Sequence, residues 1–275
     1  MDGAPIDDAI ADHYERISEQ SRLRDANGRL EEWRTRDILM RHLPPPPAVV
    51  LDIGGAAGVY AHWLTAAGYT VHLRDPMAKH IDQAIAAAEA PLASAGVGDA
   101  RHVEFDDRSA DAVLLLGPLY HLTETADRHR ALGEAYRVLR PGGVVFAVGV
   151  SRFASALDGL WRNLVADPVF REIVDRDLAE GQHRNPTGDP TYWTTAYLHH
   201  PDELPTDLEE AGFLGSRVLA VEGIGWIMPD LAERWAAETD RKNLLEIIAR
   251  TETEPSLLGV SPHLMAVGWV PESPV

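Results

Sequence analysis

The sequence predicts an α/β fold built on a doubly wound parallel sheet. Three observations carry that prediction. Short apolar runs alternate with stretches of helical periodicity from Ala48 onward, the runs are continuously apolar, and a glycine-rich turn follows the first of them. Continuous Val, Ile and Leu runs mark strands buried on both faces, as a parallel sheet covered by helices requires.

Ile6, Ile10, Tyr14 and Ile17 fall at helical spacing, as do Leu30, Trp33, Ile38 and Leu39, so residues 1–43 read as two helices broken near residues 25–28. Pro44 to Pro47 end helical structure, because proline lacks the amide donor and fixes φ. The strand "AVVLDI" follows, then a helix over residues 60–67, the strand "YTVHL", and an alanine-rich helix over residues 78–90. Next come a short strand "RHVEF" and a buried strand "ADAVLLLG". "TETADRHRALGEAYRVL" places Leu132, Ala135, Tyr136 and Leu139 on one helical face and stops at "RPGG", before the strand "VVFAVGV". Residues 151–200 interrupt the alternation with a helix and the loop "GQHRNPTGDPTYW". A helix in "HPDELPTDLEEAGF", a strand "SRVLAVEG", helices over residues 229–250 and a last strand "HLMAVGWV" follow. Four parts are expected: N-terminal helices (1–43), a binding core (44–150), a helical insertion (151–200) and the rest of the core sheet (201–275).

With 275 residues and 45% hydrophobic content, the chain can bury a core of one large domain carrying an insertion. No run approaches 18 apolar residues, which argues against a membrane span, and residues 1–12 lack the basic-then-apolar layout of a secretory signal. A cytoplasmic location is the expectation. The absence of cysteine removes disulfides, thiolate nucleophiles, Cys-ligated zinc and iron–sulfur clusters. A formal net charge of −18, from 43 acidic and 25 basic residues, repels phosphate backbones and anionic membranes. Lysine occurs only at Lys79 and Lys242, so neither nucleic acid nor a membrane surface is an expected partner. Oligomeric state is not legible in the sequence.

The turn Gly54-Gly55-Ala56-Ala57-Gly58 lies between the first strand and a helix. Small residues let a backbone approach a ligand closely, and a helix N-terminus offers unpaired amides and a positive dipole end. Tight packing of strand on helix is the alternative reading of such a turn. Asp52 sits inside the apolar strand, where a carboxylate is costly unless partnered. Asp75 ends the second strand, where a carboxylate can accept both hydroxyls of a ribose, and "GDA" at residues 98–100 brings another acid to the end of the third. A nucleotide-like ligand at the carboxyl edge of the sheet follows from this topology.

With these residues the sequence resembles the class I S-adenosylmethionine-dependent methyltransferases. "VLDIGGAAG" is similar to their first motif, "LRDP" to their acidic second, and "GDARHVEF" to their adenine-contacting segment. "DDRSADAVLLLGPLYHL" is similar to their fourth motif and "YRVLRPGGVVFAV" to the helix and fifth strand, so the likeness spans residues 43–150 and returns at the last strand. The small-molecule branch, which includes quinone and natural-product methyltransferases, is the nearest in character. The resemblance implies a Rossmann-like seven-stranded sheet with an antiparallel last strand. It also implies S-adenosylmethionine as cofactor, S-adenosylhomocysteine as product, and a small-molecule acceptor. Gly54, Gly55 and Gly58 would wrap the methionine portion, with Asp52 holding the loop or approaching the amino group. Asp75, followed by Pro76, would bind the ribose. Asp99 would accept from the adenine amino group, the Ala100 amide would face a ring nitrogen, and the Gly117 backbone would line the methyl-transfer channel. One departure is that Ala56 stands where the family has its central glycine, which is tolerable if its φ is negative.

Methyl transfer is an in-line displacement, and a hydroxyl or carbon acceptor usually has to lose a proton, a task suited to histidine near neutral pH. "GPLYHL" places Tyr120 and His121 beside the expected methyl position, with His121 the candidate base; packing, or capping of the helix near Thr123, is its alternative. Tyr14 would fold over the cofactor, or else pack in the core. Residues 151–200 with the N-terminal helices are expected to form the acceptor lid, using Phe153, Trp161, Phe170, Tyr192, Trp193 and Tyr197, with core packing the alternative for these aromatics. His183, His199 and His200 match no metal-ligand spacing and read as solvated or capping residues; no metal is expected. Two rivals remain. A nicotinamide dehydrogenase would want G-x-G-x-x-G, which the turn does not supply. A non-catalytic S-adenosylmethionine-binding regulatory subunit would keep the fold without the activity.

Overall fold

Continuous apolar strands and the helices between them assemble as a sheet of nine strands in the computed structural model, which describes residues 8–16 and 25–272. Ile6 and Ile17 lie outside the described residues. Strands β1 (Val49–Ile53), β2 (Thr70–Asp75), β3 (Ser94–Val97), β4 (Ala110–Leu115) and β5 (Leu139–Ser151) run parallel in the order β3-β2-β1-β4-β5. The last strand, β9 (His263–Trp269), lies antiparallel to β5 and carries β8 (Leu214–Ala220) on its far side. These seven form the expected doubly wound sheet with an antiparallel last strand.

Helices cover both faces. They are α1 (Asp8–Arg16), α2 (Ala26–His42), α3 (Val59–Ala66), α4 (Ala78–Ala87), α5 (Pro118–His121) and α6 (Thr125–Val138). Then follow α7 (Ala154–Trp161), α8 (Pro168–Glu180), α9 (Glu203–Glu210), α10 (Leu231–Ala236), α11 (Glu238–Thr251) and α12 (Pro255–Leu258). Side chains alternate across each strand, so Leu51, Ile53, Val113 and Val145 pack with Leu132, Leu139 and Leu204 on one face. Val50, Leu73, Leu114 and Phe146 pack with Ile38, Leu39 and Leu64 on the other.

Several elements differ from expectation. "RHVEF" makes only an isolated bridge, Asp99 to His102. Its backbone is claimed by side chains of α6: Arg137 donates to the Val103 and Phe105 carbonyls, and Glu134 accepts from the Val103 amide. The third strand is instead Ser94–Val97. "RPGG" does not precede β5 but lies within it, as an irregularity between the pairs Ala110–Leu139 and Ala112–Val144. Residues 151–200 hold two short strands besides helices: β7 (Ala196–His199) extends the end of β5 in parallel, and β6 (Gln182–His183) pairs with β7.

In α2 the buried face carries Leu30, Ile38 and Leu39 as predicted, but Trp33 is 43% exposed and Arg34 takes the inward position. Arg34 donates to the Val221 carbonyl at 3.0 Å, to Asp37 at 2.7 Å and to Glu252. Arg41 adds a two-pronged contact to Glu252 at 2.6 and 2.9 Å. Burial pushes the Glu252 carboxyl up, but the two arginines outweigh it and hold it below the usual range. Asp25 caps this helix, accepting from the Gly28 amide at 2.8 Å.

Candidate active site

The turn after β1 has the conformation its composition suggests. Gly54 and Gly58 adopt positive φ of 72° and 78°. A Cβ on Gly54 would lie 2.8 Å from Pro118 Cδ, and one on Gly55 would lie 2.4 Å from Asp52 Oδ2. Ala56 departs from the expected negative φ: it sits at 48°, in the left-handed region, where a Cβ is strained. The strain is held in place by a hydrogen bond from the Ala56 amide to Asp75 Oδ2 at 2.9 Å.

Beneath the turn, at the carboxyl edge of the sheet, lies a cavity of about 380 Å³. Tyr14, Asp52, Gly54, Gly55, Asp75, Pro76, Asp99, Ala100, Gly117, Tyr120 and His121 all line it, although they come from five separate stretches of chain. Gly58 does not line it; it stands behind the turn, and its carbonyl accepts from the His62 amide in the first turn of α3.

Each acid has its own setting. Asp52 is fully buried and neither carboxyl oxygen makes a hydrogen bond of ordinary geometry. Burial, and then the nearby Asp75 carboxylate, push it up to about 7, with the Ala61 amide offsetting little. Asp75 Oδ1 accepts from the Met77 amide and His80 Nδ1, both at 2.9 Å, while Oδ2 accepts from Ala56. Since a carboxylate has about four lone-pair positions, one on Oδ2 stays open for a ligand hydroxyl. Asp99 is gripped by the Arg101 guanidinium, which also reaches Asp127 at 2.9 Å. Burial pushes the Asp99 carboxyl up, but the bonds and charge of Arg101 hold it below the usual range.

At the other side of the cavity the Tyr14 hydroxyl meets His121 Nε2 at 2.7 Å, and His121 Nδ1 faces the Thr195 carbonyl at 3.1 Å. A carbonyl only accepts, so Nδ1 carries the proton and Nε2 accepts from Tyr14. Tyr14 stands edge-on to both His80 and His121, at 5.5 Å in each case, and Tyr120 tilts against His121 at 4.6 Å.

The insertion touches this arrangement through Thr194 and Thr195. Thr195 supplies the carbonyl, and Thr194 Oγ1 donates to the Ala9 carbonyl of α1 at 3.1 Å. None of its aromatic side chains lines the cavity. Phe170 and Tyr192 pack with Ile173 and Val174, Trp193 lies against His183, Tyr197 lies under Arg128, Phe153 meets His200, and Trp161 is half exposed. His183 and His199 are not solvated: both are fully buried. His183 Nδ1 meets Asp177 and its Nε2 meets the Tyr192 carbonyl, each at 2.8 Å. Burial, then Arg128 and Arg152, lower His199 to about 3.

Other lining residues escaped the sequence reading. His80 and Arg101 stand close in sequence to predicted acids, and that proximity was their one signal. Glu31, Thr35 and His263 also line the cavity, brought from opposite ends of the chain, with no local pattern to announce them.

A buried carboxyl with no hydrogen-bond partner of ordinary geometry among the described residues, beside two glycines that leave no room for a side chain, suits a ligand carrying both a positive charge and a nucleoside. The site thus belongs to a protein that binds a nucleoside cofactor at the edge of a Rossmann-like sheet, and S-adenosylmethionine meets those requirements. Residues 51–147 match the methyltransferase domain family. The chain is 29% identical over 192 residues to a ubiquinone biosynthesis O-methyltransferase of Bradyrhizobium, covering 70% of this chain and 66% of that protein. It is 29% identical over 185 residues to a ubiquinone/menaquinone biosynthesis C-methyltransferase of Acidiphilium cryptum, covering 64% of this chain and 71% of that one. Its fold is like that of a Methanosarcina mazei S-adenosylmethionine-dependent methyltransferase, with a TM-score of 0.57 and 20% identity over 86% of this chain and 98% of the other. Residues 51–147 thus carry a methyltransferase domain, and the chain is similar to S-adenosylmethionine-dependent methyltransferases, the quinone-biosynthesis enzymes among them. It spans just under two thirds of the Bradyrhizobium protein's length.

Proposed function

We propose that the protein methylates a small-molecule acceptor whose reacting atom bears a removable proton, with His121 as the base. The pairing of Tyr14, His121 and the Thr195 carbonyl beside the Gly117 turn is the observation that carries this reading.

S-adenosylmethionine, when bound, supplies a methyl group on a positively charged sulfur. Gly54 and Gly55 admit it, Asp52 offers the compensating negative charge, Asp75 takes a ribose hydroxyl, and Asp99 with the Ala100 amide faces the base. Asp52 ionises as the positive charge arrives. His121 Nε2 receives the acceptor's proton, directly or through the Tyr14 hydroxyl, and the Thr195 carbonyl at Nδ1 steadies the resulting imidazolium. Tyr14, on α1, closes over this end and excludes water.

The charge of the cavity supports a neutral or cationic acceptor. Glu31, Asp52, Asp75, Asp99, Glu124 and Asp127 line it, whereas the one arginine among the described lining residues, Arg101, is already paired with Asp99 and Asp127. Such a field disfavours carboxylate- or phosphate-bearing acceptors. The quinone-pathway relatives suggest an aromatic acceptor. The test is formation of S-adenosylhomocysteine across a set of phenols, catechols and amines. Turnover by wild type that His121→Ala reduces about 10²–10⁴-fold is expected; binding of the cofactor without turnover of any acceptor would support the regulatory reading instead.

A further inference from the structure

The Asp75 carboxylate has room for one hydroxyl of a ribose, not for both. Its Oδ1 already accepts from the Met77 amide and from His80 Nδ1, and its Oδ2 accepts from the Ala56 amide, each at 2.9 Å. Of the roughly four lone-pair positions on a carboxylate, three are therefore taken within the protein. A ribose brings two neighbouring hydroxyls. The second needs an acceptor of its own, because a buried donor left without one carries its full desolvation cost.

His80 stands where that acceptor is needed. It lies in the first turn of α4, which Met77 precedes. Side chains on a helix lean toward its N-terminus, which aims this ring back at the end of β2. His80 is only 4% exposed, and it lines the cavity beside Asp75, Pro76 and Met77. A carboxylate accepts, so Nδ1 carries the proton given to Asp75 and Nε2 is left as an acceptor. Among the described residues Nε2 has no hydrogen-bond partner, yet it is not sealed inside the protein as both ring nitrogens of His62 and His199 are. With the ring buried and lining the cavity, the cavity is where Nε2 opens. Tyr14 stands edge-on to the same ring at 5.5 Å and closes it from above.

We propose that His80 is a second ribose-binding residue: Asp75 Oδ2 accepts one hydroxyl of the S-adenosylmethionine ribose, and His80 Nε2 accepts the other. The ring thus orients Asp75 through one nitrogen and reads the nucleoside through the other. A nucleoside lacking either hydroxyl leaves one acceptor without its donor, so the pair selects a complete ribose. The inference rests on the assignment of this cavity to the nucleoside cofactor, and it is independent of the methyl acceptor and of His121.

The test is calorimetry with S-adenosylhomocysteine and its 2′-deoxy and 3′-deoxy analogues. In wild type, losing the hydroxyl that faces the charged Asp75 should weaken binding about ten- to a hundredfold, and losing the one that faces the imidazole nitrogen about three- to tenfold. His80→Asn keeps an amide donor near the Nδ1 position, toward Asp75, and removes the far acceptor. In that variant the parent compound should bind about three- to tenfold more weakly, the smaller deoxy penalty should vanish and the larger should remain. His80→Gln, whose longer amide carries an oxygen toward the Nε2 position, should bring the smaller penalty back. A role confined to holding Asp75 would leave both penalties in His80→Asn as they are in wild type, and that result overturns the proposal. The wild-type series decides without any variant: a deoxy analogue that binds as well as the parent overturns it too. Wild type that fails to bind S-adenosylhomocysteine at all overturns the cofactor assignment beneath it, which keeps the two failures apart.

Discussion

The Ala56 amide and the Asp75 carboxylate meet at 2.9 Å, so one acid both anchors the glycine-rich turn and lines the cavity, where it is proposed to take a ribose hydroxyl. Asp75→Ala removes both functions. It should weaken cofactor binding by about 1–3 kcal/mol, the scale of a hydrogen bond to a charged group. Asp75→Asn keeps one carbonyl acceptor and should lose less. Calorimetric affinities that match wild type in both variants would show that Asp75 serves the turn alone.

Ala56 at a φ of 48° carries strain that glycine would not. Left-handed backbone costs an L-residue about 1–2 kcal/mol, and the added freedom of glycine in the unfolded chain takes back about 0.5–1 kcal/mol. Ala56→Gly should therefore stabilise the ligand-free protein by up to about 1 kcal/mol, a rise of roughly 2–4 °C in Tm. A lower Tm would mean that the methyl group contributes packing that outweighs the strain.

Asp52 gives the site a pH dependence whose sign can be worked out. Its carboxyl is pushed up to about 7 in the folded protein, against an ordinary 3.8 when unfolded. Between those values the folded state holds the extra proton, so this group's contribution to stability falls as pH rises from about 4 to about 7. Asp52→Asn should raise the Tm of the ligand-free protein more at pH 8 than at pH 4. A cationic ligand needs the ionised form, so cofactor affinity in wild type should climb with pH up to about 7 and then level, with proton release on binding. In Asp52→Asn that climb should vanish. Calorimetry in buffers of differing ionisation heat reads the released proton directly, and no release near neutrality would count against the assignment.

Tyr14 and His121 should divide in their effects on rate. His121→Ala removes the proposed base and should bring the large loss of kcat given above, while cofactor affinity should stay nearly intact. Tyr14→Phe keeps the edge-on ring and loses only the hydroxyl, so kcat should fall less and its pH profile should shift. The wild-type rate should drop as acid protonates Nε2, and His121→Ala should lose that dependence. Wild-type kcat in His121→Ala would point to an acceptor methylated without a base.

The core of the fold was legible because its signals are local. Strands β1, β4 and β5 each contain a continuous apolar run, β2 sets Val71 and Leu73 between polar residues, and the turn at Gly54 to Gly58 announces itself by composition. "RHVEF" misled because apolar alternation says nothing about who takes the backbone, and here Arg137 and Glu134 do. The strands β6 and β7 exist only because the end of β5 offers them an edge, a partnership no local pattern encodes. Arg34 occupies an inward position that spacing assigned to Trp33, since its three donors find Val221, Asp37 and Glu252 there. The acids and His121 were readable from motif position, whereas Glu31, Thr35 and His263 converge only after the chain has folded.

Arg34 also bears on how this scaffold can diversify. Its contacts bind α2 to the residue following β8 and to the end of α11, and Arg41 doubles the hold on Glu252. Replacing the N-terminal segment with that of a relative would leave Glu252 buried and unpaired, at a cost of about 3–5 kcal/mol. Two stretches of chain at opposite ends of the sequence are therefore inherited as one unit. The wall bearing Glu31 and Thr35 is not an interchangeable cassette, and new acceptor preferences in this lineage would arise by point substitution on a fixed wall.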